Sequence, residues 1–187
     1  MDAQLCPDPA PGPPAHHVAL IGMMAVGKST VGRALAHHLG ARFVDTDEVI
    51  EEHTGMTLRE IWREGGEAAY RPLEREAVRC ALAEREPVVL ATPGGVAVDD
   101  AMAAEVTTAH VTTVYLRATL DTLARHVGAT PRHRPLLGSD PRATLARLLD
   151  DRAARYEQLA DHVVDIDGRT PAGVVAVVLA AIEAHRA

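Results

Sequence analysis

Apolar residues come along this chain as short solid runs, separated by longer stretches in which they recur every third or fourth position. A short solid run predicts a strand covered on both faces, and the helical spacing predicts the helices between such strands. His17–Ile21 (HVALI) is the first run and ends at Gly22. From Lys28 onward Val31, Leu35 and Leu39 fall on one helical face, and Gly40 closes that helix. Arg42–Asp45 (RFVD) predicts a second strand. After the break at Gly55, Thr57–Glu64 reads as a helical turn or two. Ala68–Glu84 is a longer helix whose inner face carries Leu73, Val78, Ala81 and Leu82. Pro87–Thr92 (PVVLAT) and Val111–Leu116 (VTTVYL) predict the third and fourth strands, and Thr119–Val127 a helix. A loop rich in Arg, Pro and Gly runs from Gly128 to Pro141, followed by a helix over Thr144–Leu159. His162–Ile166 (HVVDI) is the fifth strand. Pro171–Ala184 is the closing helix, with Pro171 suited to its first turn.

Strands alternating with helices predict an α/β fold: a five-stranded parallel sheet with helices on both faces. At 187 residues the chain suits one domain, over 17–187, preceded by a Pro-rich leader over 1–16 that reads as disordered. Aromatic residues are only 3%, so Ala, Leu and Val must build the core. A formal net charge of −7 argues against a nucleic-acid binder, yet convergent arginines can hold a small anionic substrate inside an acidic protein. No apolar run reaches membrane-spanning length, and the leader lacks the basic start and apolar stretch of a secretory signal. Cys6 and Cys80, read as two isolated thiols, point to a reducing compartment and so to a cytoplasmic protein.

The chemistry begins at Gly22–Thr30. GMMAVGKST fits G-x-x-x-x-G-K-[ST] and stands between a predicted strand and a predicted helix, the context a phosphate-binding loop requires. Gly22, Ala25, Val26, Gly27, Lys28, Ser29 and Thr30 are the candidate nucleotide contacts. Backbone N–H groups and the helix dipole attract the anion, Lys28 reaches the β- and γ-phosphates, and the Ser29 hydroxyl ligates Mg2+. Lys28 is the one lysine among nineteen basic residues. A compact ammonium on a slim stem fits a tight loop where a guanidinium does not.

Asp45 and Asp47 stand at the C-terminal end of the second strand, near the crevice where open sheets bind ligands. One acid of such a pair can hold a metal while the other accepts a bond from a substrate hydroxyl. Asp47 is equally placed to cap a helix starting at Glu48, so both readings stand. Arg71, Arg132, Arg134 and Arg152 read either as solvated charges or as ligands. Pro93-Gly94-Gly95 reads either as a turn or as a close approach of backbone to ligand. The loop from Gly128 reads either as a surface connection or as a cover over the site.

FVDTDEVIEEHTGMTLREIW, GEAAYRPLE, VLATPGG, RPLL and DRAARYEQLA, in that order after the phosphate loop, resemble the shikimate kinases from about His17 to Ala184. The resemblance implies a sheet order of 2-3-1-4-5, a substrate-binding region about 46–75 and a lid about 128–141. It implies MgATP-dependent phosphorylation of the 3-hydroxyl of shikimate by a monomer. It gives Asp45 the magnesium side, Asp47 the substrate hydroxyls, Arg71 and Arg152 the carboxylate, and Gly94 and Gly95 the substrate pocket. It puts Arg134 in the lid over the transferring phosphate and Arg125 against adenine. Pro93 and Val96 depart from the family's pattern, and Arg132 and His133 add charge to the lid without an assigned role. The altered glycine triplet keeps open a kinase of gluconate or a cyclitol acid. An alternative of a different class is a nucleotide-binding regulatory protein, which needs the phosphate loop but has no use for Arg71 and Arg152.

Overall fold

The computed structural model describes residues 15–129 and 140–186. The chain runs β1 (His17–Ile21), α1 (Lys28–Leu39), β2 (Arg42–Asp45), α2 (Thr46–Thr54) and α3 (Leu58–Leu82). It continues with β3 (Val88–Ala91), a short 3-10 helix (Gly94–Val98), α4 (Asp100–Val106) and β4 (Val111–Arg117). α5 (Leu120–Ala129), α6 (Pro141–Leu159), β5 (His162–Asp165) and α7 (Pro171–Arg186) complete it. The five strands are parallel, in the order β2-β3-β1-β4-β5. The strand order reverses at β1, so the crevice opens at the C-terminal end of that strand.

The solid apolar runs sit where both faces are covered. β1 and β3 are buried throughout, and β4 is buried up to Arg117. The edge strands β2 and β5 are partly exposed. Leu20, Leu35, Leu90, Val114, Leu116 and Leu123 are all fully enclosed in the main core. A second, separate apolar cluster lies between α2 and α3. Ile50, Ile61, Tyr70 and Ala77 form it, packed by Val49, Met56, Leu58, Trp62 and Leu73.

Several boundaries differ from expectation, each for a local reason. The two helices expected around residues 57–84 are one run, broken only at Gly66 (φ 60°, ψ −155°). A capping box between Thr57 and Glu60 starts it. α2 starts at Thr46 rather than at Glu48, and α4 was not expected as an element. Each is short and is begun by an aspartate cap, Asp45 and Asp99 respectively. α6 starts at Pro141 rather than Thr144, because Asp140 accepts from the Ala143 N–H and Pro141 fits the first turn. His16, assigned to the leader, already bonds Thr112 on β4 (Nε2 to Oγ1, 2.7 Å). Residues 1–14 and 130–139, which include Arg132, His133 and Arg134, lie outside the described residues. Gly128 and Ala129, at one end of the expected lid, belong to α5. Cys80 is disulfide-bonded, so the argument for a reducing compartment from two isolated thiols lapses.

Candidate active site

The loop between β1 and α1 is shaped by its glycines. Gly22 leaves the strand at φ 136°, and a Cβ there would stand 2.6 Å from the Leu116 carbonyl oxygen. No side chain fits. Gly27 opens α1 at φ 99° without a side-chain cap, and the first turn holds no acidic residue. Its N–H groups and the positive end of the helix dipole therefore face the cleft ready for an anion. Lys28 lies back over the loop and donates to the carbonyls of Gly22 (2.8 Å) and Met23 (3.1 Å).

Asp45 ends β2 and is itself the cap of α2, accepting from the Asp47 N–H at 3.1 Å. The capping reading of Asp47 is thus displaced by two residues, and the Asp47 side chain faces the cleft rather than capping α2. Tyr70 donates its hydroxyl to Asp47 Oδ1 at 3.2 Å. Burial and the neighbouring charge of Asp45 push the Asp47 carboxyl up, while Lys28 and the Tyr70 hydrogen bond oppose them.

Arg71 and Arg152 converge on one stretch of backbone. Arg71 is clamped by Glu74 (Nη1 to Oε2, 2.5 Å) and by Glu67 (Nη2 to Oε1, 2.7 Å). Its guanidinium lies so close over Gly95 that a Cβ there would meet Nη1 at 2.0 Å. Arg152 donates to the Gly94 carbonyl at 3.0 Å, beside the Tyr156 hydroxyl, which donates to the same oxygen at 2.6 Å. Tyr156 is held by stacking on Tyr115, ring centroids 5.1 Å apart. Arg152 is 7% exposed, and no carboxylate among the described residues pairs with it. A nearly buried guanidinium without a counter-ion is expensive unless an anion arrives. Glu74 is 3% exposed, and burial pushes its carboxyl up to about 7 against the pull of Arg71.

These groups line one cleft of about 1220 Å³. The loop from Ala25 to Thr30, Asp45, Asp47, Gly94, Gly95 and Arg125 all face it together with both arginines. Arg125 is exposed and bonds Thr122 (3.2 Å). The two departures also find a place. Pro93 sits at φ −59°, a value its ring prefers, and Val96 is fully buried in the main core rather than in the cleft.

Sequence reasoning missed Tyr70, Glu74, His126 and the Ile166, Arg169, Pro171 and Val174 wall of the cleft, and Tyr156, which supports the Gly94 carbonyl from outside the lining. Glu74 and Tyr156 carried a usable signal, since each lies one helical turn beyond its arginine.

The shikimate kinase family model matches residues 24–183. A shikimate kinase of Streptomyces coelicolor is 43% identical over 170 residues, spanning 91% of this chain and 97% of that protein. One of Salinispora arenicola is 45% identical over 152 residues, 81% of this chain and 89% of its own. Among solved structures, shikimate kinase from Acinetobacter baumannii in complex with shikimate superposes with a TM-score of 0.85 at 29% identity, covering 91% of this chain and 94% of that one. With the strand order, the loop and the paired arginines already in hand, these matches make the chain a member of the shikimate kinase family.

Proposed function

We propose that this protein transfers the γ-phosphoryl group of ATP to the 3-hydroxyl of shikimate. The observation that carries the reading is Arg152: a buried cation with no carboxylate partner among the described residues, facing the same cleft as Arg71 and the phosphate loop. A carboxylated acceptor supplies the missing anion. Arg71 and Arg152 grip that carboxylate with charge-assisted hydrogen bonds, and the Gly94–Gly95 backbone lets the ring lie close. The far side of the ring then meets Asp47, which fixes the attacking hydroxyl by a hydrogen bond.

In the reaction the hydroxyl oxygen forms its bond to Pγ as the bond from Pγ to the β,γ-bridging oxygen breaks. ADP leaves, and the hydroxyl proton passes to Asp47. Burial makes Asp47 a better proton acceptor than an exposed aspartate. Lys28 exchanges the Gly22 and Met23 carbonyls for the β- and γ-phosphates and stabilises the charge spread over the transferring oxygens. The donor set suits Mg2+, which takes hard oxygen ligands, few of them from protein and the rest from water and phosphate. Ser29 and the Asp45 carboxylate would hold it, and when bound it neutralises charge between the β- and γ-phosphates.

The resemblance adds Arg125 against adenine and Arg134 in a lid over the phosphate, and both belong to this proposal. So does the substrate-binding region about 46–75, supported by the separate apolar cluster beneath it. A monomer is proposed from the family likeness. A cytoplasmic location is proposed from the chemistry, because ATP is highly charged and shikimate is a polyhydroxylated anion, and neither crosses a membrane unaided. No helix among the described residues is long and apolar enough to span one. The test is ADP release with ATP and a panel of acceptors: shikimate, gluconate, and neutral polyols. Shikimate is the expected best acceptor. Preference for a neutral polyol would remove the role of the two arginines.

A further inference from the structure

Ala25 is the one non-glycine residue with positive φ (64°) among the described residues. It lies inside the phosphate loop. In that conformation the alanine Cβ crowds the following carbonyl, so the loop is strained there and persists only if its surroundings hold it. Lys28 supplies part of the hold through the Gly22 and Met23 carbonyls, and the Val26 N–H closes a turn on Met23 at 3.3 Å. The Ala25 carbonyl is held from another element. His126, on α5, meets it with Nδ1 at 2.9 Å, across 101 residues of sequence. A carbonyl only accepts, so the imidazole presents Nδ1–H. His126 lines the same cleft as Lys28, Ser29 and Arg125.

On binding ATP, Lys28 has to leave both carbonyls for phosphate oxygens. The contact from His126 is made to a different carbonyl and does not compete with the phosphates. We infer that His126 is a positioning residue for the phosphate loop, holding Ala25 in its left-handed conformation and thereby setting the affinity for ATP. Without this clamp the binding-competent loop is only fractionally populated, and apparent affinity falls by that fraction. With glycine at position 25 the left-handed conformation carries no steric penalty, and the clamp matters less.

The experiment measures ATP and shikimate KM, kcat and thermal midpoint for His126→Ala, His126→Asn, A25G and the A25G/H126A pair. His126→Ala should raise the ATP KM roughly three- to tenfold, the worth of one hydrogen bond, with the shikimate KM and kcat held. Asn carries its side-chain amide at the position of Nδ1, so His126→Asn should recover most of that loss. In the A25G background the His126→Ala effect should shrink to less than half. An unchanged ATP KM, an equal rise in the shikimate KM, no recovery by Asn, or the same loss in the A25G background would each overturn the inference. If His126→Ala does not fold, His126→Gln replaces it, since its amide lies one bond too far out. The inference rests on the ATP reading of the loop, and the two fail differently. Absence of ATP binding by the unaltered protein sinks that reading, whereas normal binding by both proteins sinks only the clamp.

Discussion

Across one cleft, the loop between β1 and α1 offers an anion backbone N–H groups and a single lysine, whereas the lobe of α2 and α3 offers an arginine clamped by carboxylates. The loop is fixed by the main core, on which every strand of the sheet draws. The lobe has only the small cluster around Ile50, Ile61, Tyr70 and Ala77, topped by a polar chain from Asp47 through Tyr70 and from Glu74 to Arg71. A phosphate has the same shape in every nucleotide, and rigid backbone suffices to bind it. Choosing one acceptor among many needs side chains with defined charge and reach. The difference therefore separates two kinds of vulnerability: the loop should fail at one side chain, the lobe by degrees.

The largest effect expected is at that one side chain. Lys28→Met keeps the stem and removes the charge, and turnover should fall by about 10³-fold or more, as when a main transition-state donor is lost. ADP release under saturating shikimate measures it. Retained turnover would mean that backbone alone performs the transfer, and the contrast between the regions would collapse.

Arg71 and Arg152 sharpen the contrast within the acceptor site. Removing either should weaken shikimate by about 1.5–3 kcal/mol per charge-assisted bond lost, roughly 10- to 150-fold, with ATP affinity unchanged. Their effects on stability should differ. Arg71→Ala leaves Glu74 buried without its cation and should lower the thermal midpoint. Arg152→Met orphans no carboxylate, and Tyr156 still satisfies the Gly94 carbonyl, so the midpoint should hold or rise. Calorimetric titration with shikimate and a thermal melt decide both. A drop in ATP affinity equal to the drop in shikimate affinity would contradict the assignment of the arginines.

The same division decided what the sequence revealed. β1, β3 and β4 are short solid apolar runs next to turn residues, which leave few alternatives, and Gly22–Thr30 places its chemistry through local spacing alone. In the lobe, α2 reads TDEVIEEHT, with only Val49 and Ile50 apolar, and depends on its Asp45 cap and its packing against α3 rather than on its own periodicity. Arg71 and Arg152 were ambiguous as residues and became ligand candidates only through family resemblance. The Tyr70–Asp47 bond spans 23 positions and the His126–Ala25 bond 101, and nothing local announces either. Side chains that meet through the fold leave a trace only when they share a helix, as Glu74 does with Arg71.

The smallest effect separates the regions by the sign of their pH dependence. His17, fully buried at the start of β1, accepts the Val88 N–H at Nδ1. Burial, then the nearby His110 and His16, hold its pKa below 6.5. The unfolded chain therefore takes up that proton more readily, and the sheet should lose stability as pH falls below 6.5. Glu74 behaves oppositely. Its carboxyl is raised from 4.5 to about 7, so the folded lobe binds the proton more tightly, and its contribution is largest below 4.5 and declines as pH rises to about 7. Trp62, the sole tryptophan, packs edge-on against Tyr70 (5.7 Å between centroids) and reports on the lobe by fluorescence, while far-UV circular dichroism reports on the whole fold. In denaturant titrations from pH 5 to 8, His17→Asn should flatten the acid-side loss and Glu74→Gln the decline toward neutral pH. If the two substitutions flattened the same limb, the lobe and the sheet would share one electrostatic environment, and the acceptor site would not be the separately tuned half of the cleft.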